Sequence, residues 1–274
     1  MTKTYIPTLT IAGSDSCGGA GAQADIKTMS ALGCYAASAI TSITVQNTLG
    51  VATVMAVNPD IVSGQIKAVM DDICPKVVKV GMVNDQATIH AIATTLSCYQ
   101  FEYLIVDPVM VSTSGSRLMQ EDALQVFRNE LMPQAMLLTP NIPEAEVLAG
   151  MKITDIASCD EAGARIAKGC KGGVLIKGGH VEGDKKQDRL YNPHGVFVCS
   201  YVCDTVETIN THGTGCTLSS AIACYLAKGA GMREAIRQAK NYVTAALQAG
   251  ADVKIGHGHG PVNHFFNPMR MEKR

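Results

Sequence analysis

The sequence predicts an α/β fold with a mostly parallel central sheet, and two observations carry that prediction. Short runs of apolar and β-branched residues alternate with longer helical stretches along the 274 residues, as is typical of parallel strands covered by helices on both faces. Hydrophobic residues make up 47% of the chain and charged residues 17%, which indicates a large core and excludes a disordered protein. We expect a single domain over residues 1–274, with a flexible tail at 267–274.

The elements of the first half follow from local patterns, taken in order. Residues 8–12 are apolar or β-branched and precede a glycine-rich loop, so they predict a buried strand. The helix after that loop ends before Gly33, a residue type that commonly terminates helices. Asn58 and Pro59, a capping residue and a first-turn residue, begin the next helix. The strands expected here are 8–12, 36–45, 51–57, 77–80 and 103–106, and the helices are 20–32, 58–73 and 86–96.

The second half continues the alternation and then changes in texture. Asn141 and Glu144 have the spacing of a capped helix start. Residues 182–210 differ from the rest, and the runs 196–199 and 201–203 suggest antiparallel edge strands. The other expected elements are the strands 136–138 and 173–176 and the helices 161–170, 214–227 and 233–248.

Five residues with chemical or conformational importance fall at the ends of predicted strands. They are Gly13, Gly81, Asp107, Asn141 and Lys177. Because an open α/β sheet binds ligands beyond the carboxyl ends of its strands, we expect these residues to surround one site.

Composition and cysteine spacing narrow the class of protein. The ten cysteines are irregularly spaced, and no signal peptide precedes them, so we expect a reducing compartment, the cytoplasm, and no disulfide scaffold. No apolar run approaches the roughly 18 residues of a membrane helix, so we expect no membrane partner. Lys plus Arg number 23 and Asp plus Glu number 24, which argues against nucleic acid as the main partner.

The segment 210–219, NTHGTGCTLS, predicts an anion hole. Its glycines precede a long helix, and the unpaired N–H groups of a first helical turn point at one spot. Cys216 falls in that turn, where the pKa of a thiol is lowered. A glycine-capped helix with a buried cysteine is the alternative interpretation. A cysteine hydrolase would need a base, and His212, four residues away in an extended loop, pairs poorly with Cys216.

The first glycine cluster, residues 19–24, has the spacing of a loose dinucleotide-binding motif. That motif also needs a carboxylate about 20 residues further on to hold the ribose, and after Asp25 the next acidic residue is Asp60. A tight turn, or a close approach of the backbone to another ligand, is therefore the favoured interpretation.

Carboxylates at neighbouring strand ends point to a divalent cation. Asp107 and Glu144 suit a Mg²⁺ ion that bridges phosphates, and Lys177 at a third strand end would neutralise phosphate charge. On their own, Asn141 and Glu144 fit a plain helix cap, and Asp107 fits a plain turn. These alternatives stay open on local sequence alone.

The order of six motifs along the chain is more informative than any one of them. They are residues 13–25 (GSDSCGGAGAQAD), 107–110 (DPVM), 139–144 (TPNIPE), 177–180 (KGGH), 211–217 (THGTGCT) and 256–265 (GHGHGPVNHF). Over about residues 7–266 this order closely resembles the hydroxymethylpyrimidine/phosphomethylpyrimidine kinases, the thiamine-pathway members of the ribokinase superfamily. The resemblance implies a ribokinase-like three-layer α/β/α sandwich, Mg²⁺ as cofactor, ATP as co-substrate and a homodimer. It also implies phosphorylation of 4-amino-5-hydroxymethyl-2-methylpyrimidine to its monophosphate and then to the diphosphate.

The resemblance assigns roles to residues at the matching positions. The aminopyrimidine would be bound by Asp25 and Gln46, with Gly13, Met82 and Val109 nearby. Mg²⁺ would be held by Asp107 and Glu144. ATP would be contacted by Asn141, Glu144, Lys177 and Thr214. The catalytic anion hole would consist of Gly213, Gly215 and Cys216, assisted by Lys177.

Cys216 also places the chain within the superfamily, because ribokinases proper carry an Asp base there, whereas pyrimidine and pyridoxal kinases usually carry a Cys. We expect its thiolate to accept the substrate's hydroxyl proton in the first step. A pyridoxal or pyridoxine kinase is the main alternative, and Gln46, Asn47 and the GHG tail favour the pyrimidine over it. A non-catalytic pyrimidine-binding protein is a further alternative, although every expected catalytic position is filled.

Overall fold

The structure is a computed structural model that describes residues 3–111, 115, 118–178 and 184–273. Within these residues nine strands form one sheet. In chain order they are β1 (Pro7–Asp15), β2 (Tyr35–Asn47), β3 (Gly50–Ala56), β4 (Val77–Val80), β5 (Tyr103–Val106), β6 (Leu137–Leu138), β7 (Gly173–Ile176), β8 (Lys185–Tyr191) and β9 (Phe197–Asp204).

The sheet has the strand order β3-β2-β1-β4-β5-β6-β7-β8-β9. The six strands from β2 to β7 in this order run parallel, while β3, β8 and β9 pair antiparallel at the two sides. The carboxyl ends of the parallel strands therefore meet at one edge, which is where the sequence places its candidate site residues.

Eight α-helices lie within the described residues. They are α1 (Gly21–Ala31), α2 (Pro59–Asp72), α3 (Gln86–Ser97), α4 (Ala123–Val126), α5 (Ile142–Ala149), α6 (Ile156–Ala167), α7 (Thr214–Ala227) and α8 (Met232–Ala249). The shortest helix, α4, continues through a π-helical turn at Phe127–Leu131 and a 3₁₀ turn at Met132–Gln134.

Two hydrophobic clusters on opposite faces of the sheet hold the layers together. Alternate strand residues enter different clusters, as Val77 and Val78 of β4 show, because successive side chains of a strand point to opposite faces. One cluster packs α2 to α6 against the sheet, and the other packs α1, α7 and α8. The predicted three-layer α/β/α sandwich is confirmed.

Two expectations about local elements are corrected. The helix predicted to begin at residue 161 begins at Ile156. Its start is set by a capping box of Asp155 and Ser158, in which a serine takes the place of the usual Glu or Gln. The two predicted edge runs are a single strand, β9, paired with β8. The sequence of β8, KKQDRLY, is largely polar, so it lacks the hydrophobic alternation that identifies strands.

Described residues of the segment 267–273, where the sequence predicts a flexible tail, contact the rest of the chain. The N–H of Met269 donates to the carbonyl of Ala31 at 2.8 Å, and Lys228 pairs with Glu272 at 2.7 Å. A β-bridge joins Tyr5 to Lys273. These contacts attach the tail to the start of the chain and to α7.

No helix among the described residues is both long and apolar enough to cross a membrane.

Candidate active site

A cavity of about 530 Å³ opens at the carboxyl ends of the parallel strands. Nearly all the residues that the sequence singled out line it. They are Gly13, Gln46, Met82, Asp107, Val109, Asn141, Glu144, Lys177, Gly213, Thr214, Gly215 and Cys216. Residues of β1, β2, α5 and α7, and of the segments that follow β4, β5 and β7, thus converge on one space. Gly179 and His180 of the 177–180 motif lie outside the described residues.

The predicted anion hole is the first turn of α7, which begins at Thr214 after the cap residue Gly213. Gly213 has φ +82°, and a Cβ there would lie 1.8 Å from the carbonyl oxygen of Gly19. Only glycine fits this position, because both the left-handed backbone and the contact exclude a side chain. The loop of residues 15–20 and the start of α7 therefore touch directly, and the first turn of α7 lines the cavity.

Cys216 lies in this first turn, but its pKa is shifted in the direction opposite to the prediction. Burial raises the pKa of the thiol to about 11, since the attraction of the Lys79 ammonium is outweighed by desolvation together with Asp25 and Asp107. The side chain is only 8% exposed. The pKa lowering expected of a thiol in a first helical turn is therefore absent from the unliganded structure, because burial dominates at this position.

Asp107 and Lys177 form a buried ion pair at the centre of the cavity. The Lys177 ammonium donates to Oδ1 of Asp107 at 2.7 Å, and the Thr139 hydroxyl donates to the same oxygen at 3.1 Å. Burial disfavours the charged carboxylate, but Lys177 and Lys79 outweigh it and hold the pKa of Asp107 below its usual value. The carboxylate is thus ionised where a cation would bind.

Glu144 is both a helix cap and a candidate metal ligand. Its Oε2 accepts from the Asn141 N–H at 2.8 Å, and Oδ1 of Asn141 accepts from the Glu144 N–H at 2.9 Å. The plain capping box left open by the sequence is therefore present, and both residues also line the cavity. Burial raises the pKa of Glu144 to about 7, with Asp107 adding to the shift and Lys177 opposing it.

The side chain of Gln46 is held in the cavity wall by two residues that the sequence did not assign, His212 and Thr44, whose hydroxyl donates to Oε1 of Gln46 at 3.2 Å. Nε2 of His212 lies 2.9 Å from Oδ2 of Asp15 and 3.3 Å from the side-chain amide of Gln46. Asp15 also accepts the N–H groups of Cys17 and Ala20, both at 2.8 Å. The pair of Asp15 and His212 thus joins the first glycine loop to the loop before α7.

Asp25 does not reach the cavity, which corrects its expected role in substrate binding. Its side chain is 0% exposed and its carboxylate pairs with the Lys79 ammonium at 2.8 Å. The hydroxyl groups of Thr10 and Ser220 each donate to it at 2.6 Å. A carboxylate occupied by these partners beneath the cavity floor is not available to a substrate.

The sequence also missed the far end of the cavity. The residues that line it come from β8, β9, the loop after β9 and α8: Lys186, Asp188, Cys203, Val206, Lys240, Val243, Thr244 and Leu247. Lys240 pairs with Asp188 at 2.6 Å. No motif marks these positions, because the antiparallel pairing that brings them to the cavity is a property of the folded sheet.

Comparison with known proteins decides the family. The family model described as phosphomethylpyrimidine kinase matches residues 15–263. The chain belongs to this family. A hydroxymethylpyrimidine/phosphomethylpyrimidine kinase of Rhizobium meliloti is 47% identical over 258 residues, which cover 94% of this chain and 96% of the relative.

Another relative is longer than this chain. The thiamine biosynthesis bifunctional protein ThiED of Geobacter sulfurreducens is 47% identical over 256 residues, which cover 93% of this chain and 51% of that protein. The chain therefore spans about half the length of this bifunctional relative, and nearly all of the Rhizobium kinase.

Solved structures show the same fold in two kinds of kinase. The phosphomethylpyrimidine kinase of Clostridium difficile 630 is 45% identical with a TM-score of 0.77, covering 88% of this chain and 99% of that one. The pyridoxal kinase of Staphylococcus aureus in complex with ADP is 32% identical with a TM-score of 0.87, covering 96% and 94%. The chain is thus a ribokinase-like member of a family of phosphotransferases.

Proposed function

We propose that the protein transfers phosphate from ATP to 4-amino-5-hydroxymethyl-2-methylpyrimidine, and then to the resulting monophosphate, in thiamine biosynthesis. The observation that carries this proposal is the single cavity in which Gln46, the Asp107–Lys177 pair, Glu144 and the first turn of α7 meet. An acceptor, a cation and phosphates each find matching groups within that one space.

Asp107 and Glu144 fit Mg²⁺ by the chemistry of their free oxygens. Among the described residues, Oδ2 of Asp107 and Oε1 of Glu144 each accept one hydrogen bond, a long one of 3.4 Å. Carboxylate oxygens are preferred ligands of Mg²⁺, and a cation here would relieve the repulsion between the two groups. We propose that they hold the ion, which when bound would neutralise charge on the phosphates.

The protein's own groups would position the phosphoryl group. We propose that Lys177 and the N–H groups at the start of α7 stabilise the charge on the transferred phosphate, with Thr214 and Asn141 beside them. Phosphoryl transfer needs positioning and charge stabilisation more than covalent participation. Burial raises the pKa of the Cys216 thiol, which favours a place for it in the wall of the anion hole over proton abstraction.

The acceptor would lie against Gln46, whose amide offers both a donor and an acceptor to an aminopyrimidine edge. Gly13, Met82 and Val109 line the same region. A Cβ at position 13 would lie 2.6 Å from the Ser42 hydroxyl, so glycine permits the close packing of β1 against Ser42 in this wall. The apolar side chains of Val206, Val243 and Leu247 at the far end suit the nucleoside part of ATP.

We further propose that the protein is a cytoplasmic homodimer. All ten cysteines lie in the described ranges and none forms a disulfide, which supports a reducing compartment. Apolar side chains at the β3 side of the sheet, Ile43, Val45, Leu49 and Met55, are exposed, as at many protein interfaces. A sedimentation mass equal to the monomer would refute the dimer.

The purified protein should be assayed for Mg²⁺-dependent ADP formation with three acceptors: the pyrimidine alcohol, its monophosphate and pyridoxal. We expect the highest kcat/KM with the two pyrimidines. Pyridoxal is the informative rival, because the Staphylococcus pyridoxal kinase shares the fold with a TM-score of 0.87. Turnover of pyridoxal well above both pyrimidines would overturn the substrate, and no turnover of any acceptor would overturn the proposed function.

A further inference from the structure

The buried pair of Asp25 and Lys79 has no place in the chemistry described above, yet it is costly to bury. Both side chains are 0% exposed. The ammonium contacts both carboxylate oxygens, Oδ1 at 2.9 Å and Oδ2 at 2.8 Å. Since a buried ion pair seldom stabilises a fold more than apolar residues would, stability alone does not explain its presence.

The pair joins elements on both sides of the cavity floor. Asp25 belongs to α1 and Lys79 to β4, while the Thr10 hydroxyl of β1 and the Ser220 hydroxyl of α7 donate to the two carboxylate oxygens. Four elements are thus held by one carboxylate. Each carboxylate oxygen of Asp25 accepts one hydrogen bond from the ammonium and one from a hydroxyl, so the orientation of the carboxylate is fixed.

The contact with α7 is the one that matters for the site. Ser220 lies one helical turn after Cys216, so it fixes the second turn of the helix whose first turn is the anion hole. The next residue back, Ser219, donates to Oδ2 of Asp107 at 3.4 Å. Neighbouring residues of α7 therefore contact two different carboxylates, Asp107 in the cavity wall and Asp25 in the interior.

The ammonium of Lys79 lies directly behind the strand ends. A Cβ at Gly81 would be 2.5 Å from its Nζ, so the glycine provides the space that the ammonium fills. Its positive charge also acts on the groups above, since it lowers the pKa of Asp107 and opposes the burial of Cys216.

We propose that Asp25 and Lys79 are positioning residues for phosphoryl transfer, and that their ion pair holds the first two turns of α7 against the strand ends. Without the pair, the N–H groups of the anion hole would be less well aligned with the developing charge. Because these groups act mainly on the transition state, the loss should appear in kcat more than in KM.

The matched test uses two threonines of β1. Thr8 and Thr10 are both fully buried and lie two residues apart, but Thr10 donates to Asp25 whereas Thr8 donates to Met29 and Tyr35. We expect Thr10→Val and Ser220→Ala each to lower kcat by about fivefold or more, with the KM of ATP and acceptor nearly unchanged. Thr8→Val should lower Tm about as much as Thr10→Val does but leave kcat unchanged. Ser220→Thr retains the hydroxyl and should therefore recover the kcat that Ser220→Ala loses.

The pair itself is tested by the double variant Asp25→Leu/Lys79→Met, which leaves no buried charge unpaired. We expect a folded protein whose kcat is lower by about a hundredfold. A folded double variant with the wild-type kcat, or single variants whose kcat falls no more than that of Thr8→Val, would overturn the proposal. If the double variant does not fold, the single variants decide.

The assay uses whichever acceptor the wild type phosphorylates fastest, the pyrimidine alcohol or pyridoxal. The inference rests on the proposed kinase activity and not on the identity of the acceptor. Failure of the substrate assignment appears in the wild type, and failure of the positioning role appears only in the variants.

Discussion

Cys216 and Glu144 both lie in the first turn of a helix, where the N-terminal N–H groups favour a negative charge. The structure nevertheless raises the pKa of both side chains, Cys216 to about 11 and Glu144 to about 7. Burial is the largest cause in each case. At the scale of single residues, the sequence therefore predicted that both groups face the cavity, but it did not predict the raised pKa of Cys216.

Cys216→Ala tests whether the thiol is a base or part of the wall. Because burial raises the pKa of the thiol, we expect both phosphorylation steps to lose a similar factor of less than about tenfold, whereas removal of a general base costs about 10²–10⁴. Single-turnover rates with the pyrimidine alcohol and with its monophosphate measure the two steps. Cys224→Ala, in the same helix but in the core, is the control. A loss confined to the first step would show that Cys216 acts as the general base.

Glu144 predicts a pH dependence that responds to Mg²⁺. Below a pH of about 7 the carboxyl is mainly protonated and neutral, and above it the carboxylate is available to the cation. We expect kcat/KM to rise with pH around that value, with a midpoint that moves to lower pH as the Mg²⁺ concentration increases.

Glu144→Gln is the control for that profile, because the phosphates of ATP and acceptor also titrate in this range. We expect the variant to lose the Mg²⁺-dependent movement of the midpoint along with most of its activity. A midpoint that moves equally in the variant would show that the titrating group is not Glu144.

Asp25 shows why some residue roles were not predictable. Its position in the first glycine motif points to the substrate, but in the structure it faces Lys79 beneath the floor. Lys79 gave no signal of its own, since a lysine within the strand sequence VVKV resembles any solvent-facing charge. Only the packing of α1 against β4 reveals that the two charges meet.

At the scale of elements, the start of α7 is the part of the fold on which the site depends most. Its cap, Gly213, allows the close contact with Gly19 that joins the two glycine loops. Elements with strong local signals, such as the capped helices at Asn58 and Asn141, were predictable. The strand β8 was not predictable, because its polar side chains have partners on distant elements, such as Lys240 of α8 for Asp188.

Gly213→Ala should separate the anion hole from general helix stability. We expect a loss of about 1–3 kcal/mol from the left-handed conformation alone, and a loss of activity larger than the change in unfolding free energy explains. Gly231→Ala is matched, since Gly231 also caps a long helix but has an extended backbone and no neighbour within 4 Å of a Cβ. Denaturant unfolding and kcat are measured for both. Normal kcat in folded Gly213→Ala would contradict the assigned anion hole.

At the scale of the whole molecule, the parallel strands gather the site at one edge of the sheet while the antiparallel strands complete it. The prediction of a parallel α/β sheet was sufficient to place Asp107, Asn141 and Lys177 together. The far end of the cavity required the structure, because β8, β9 and α8 reach it only through non-local pairing. The same architecture occurs in pyridoxal kinases, so the fold alone does not choose the acceptor.

The central claim is that one cavity carries out two successive phosphorylations of the pyrimidine. The most direct measurement is the amount of ADP formed per molecule of 4-amino-5-hydroxymethyl-2-methylpyrimidine consumed, with products identified by mass spectrometry over time. The account predicts that the monophosphate appears first, that the diphosphate replaces it, and that two ADP are formed at completion. One ADP per molecule, with the monophosphate as the final product, would contradict it.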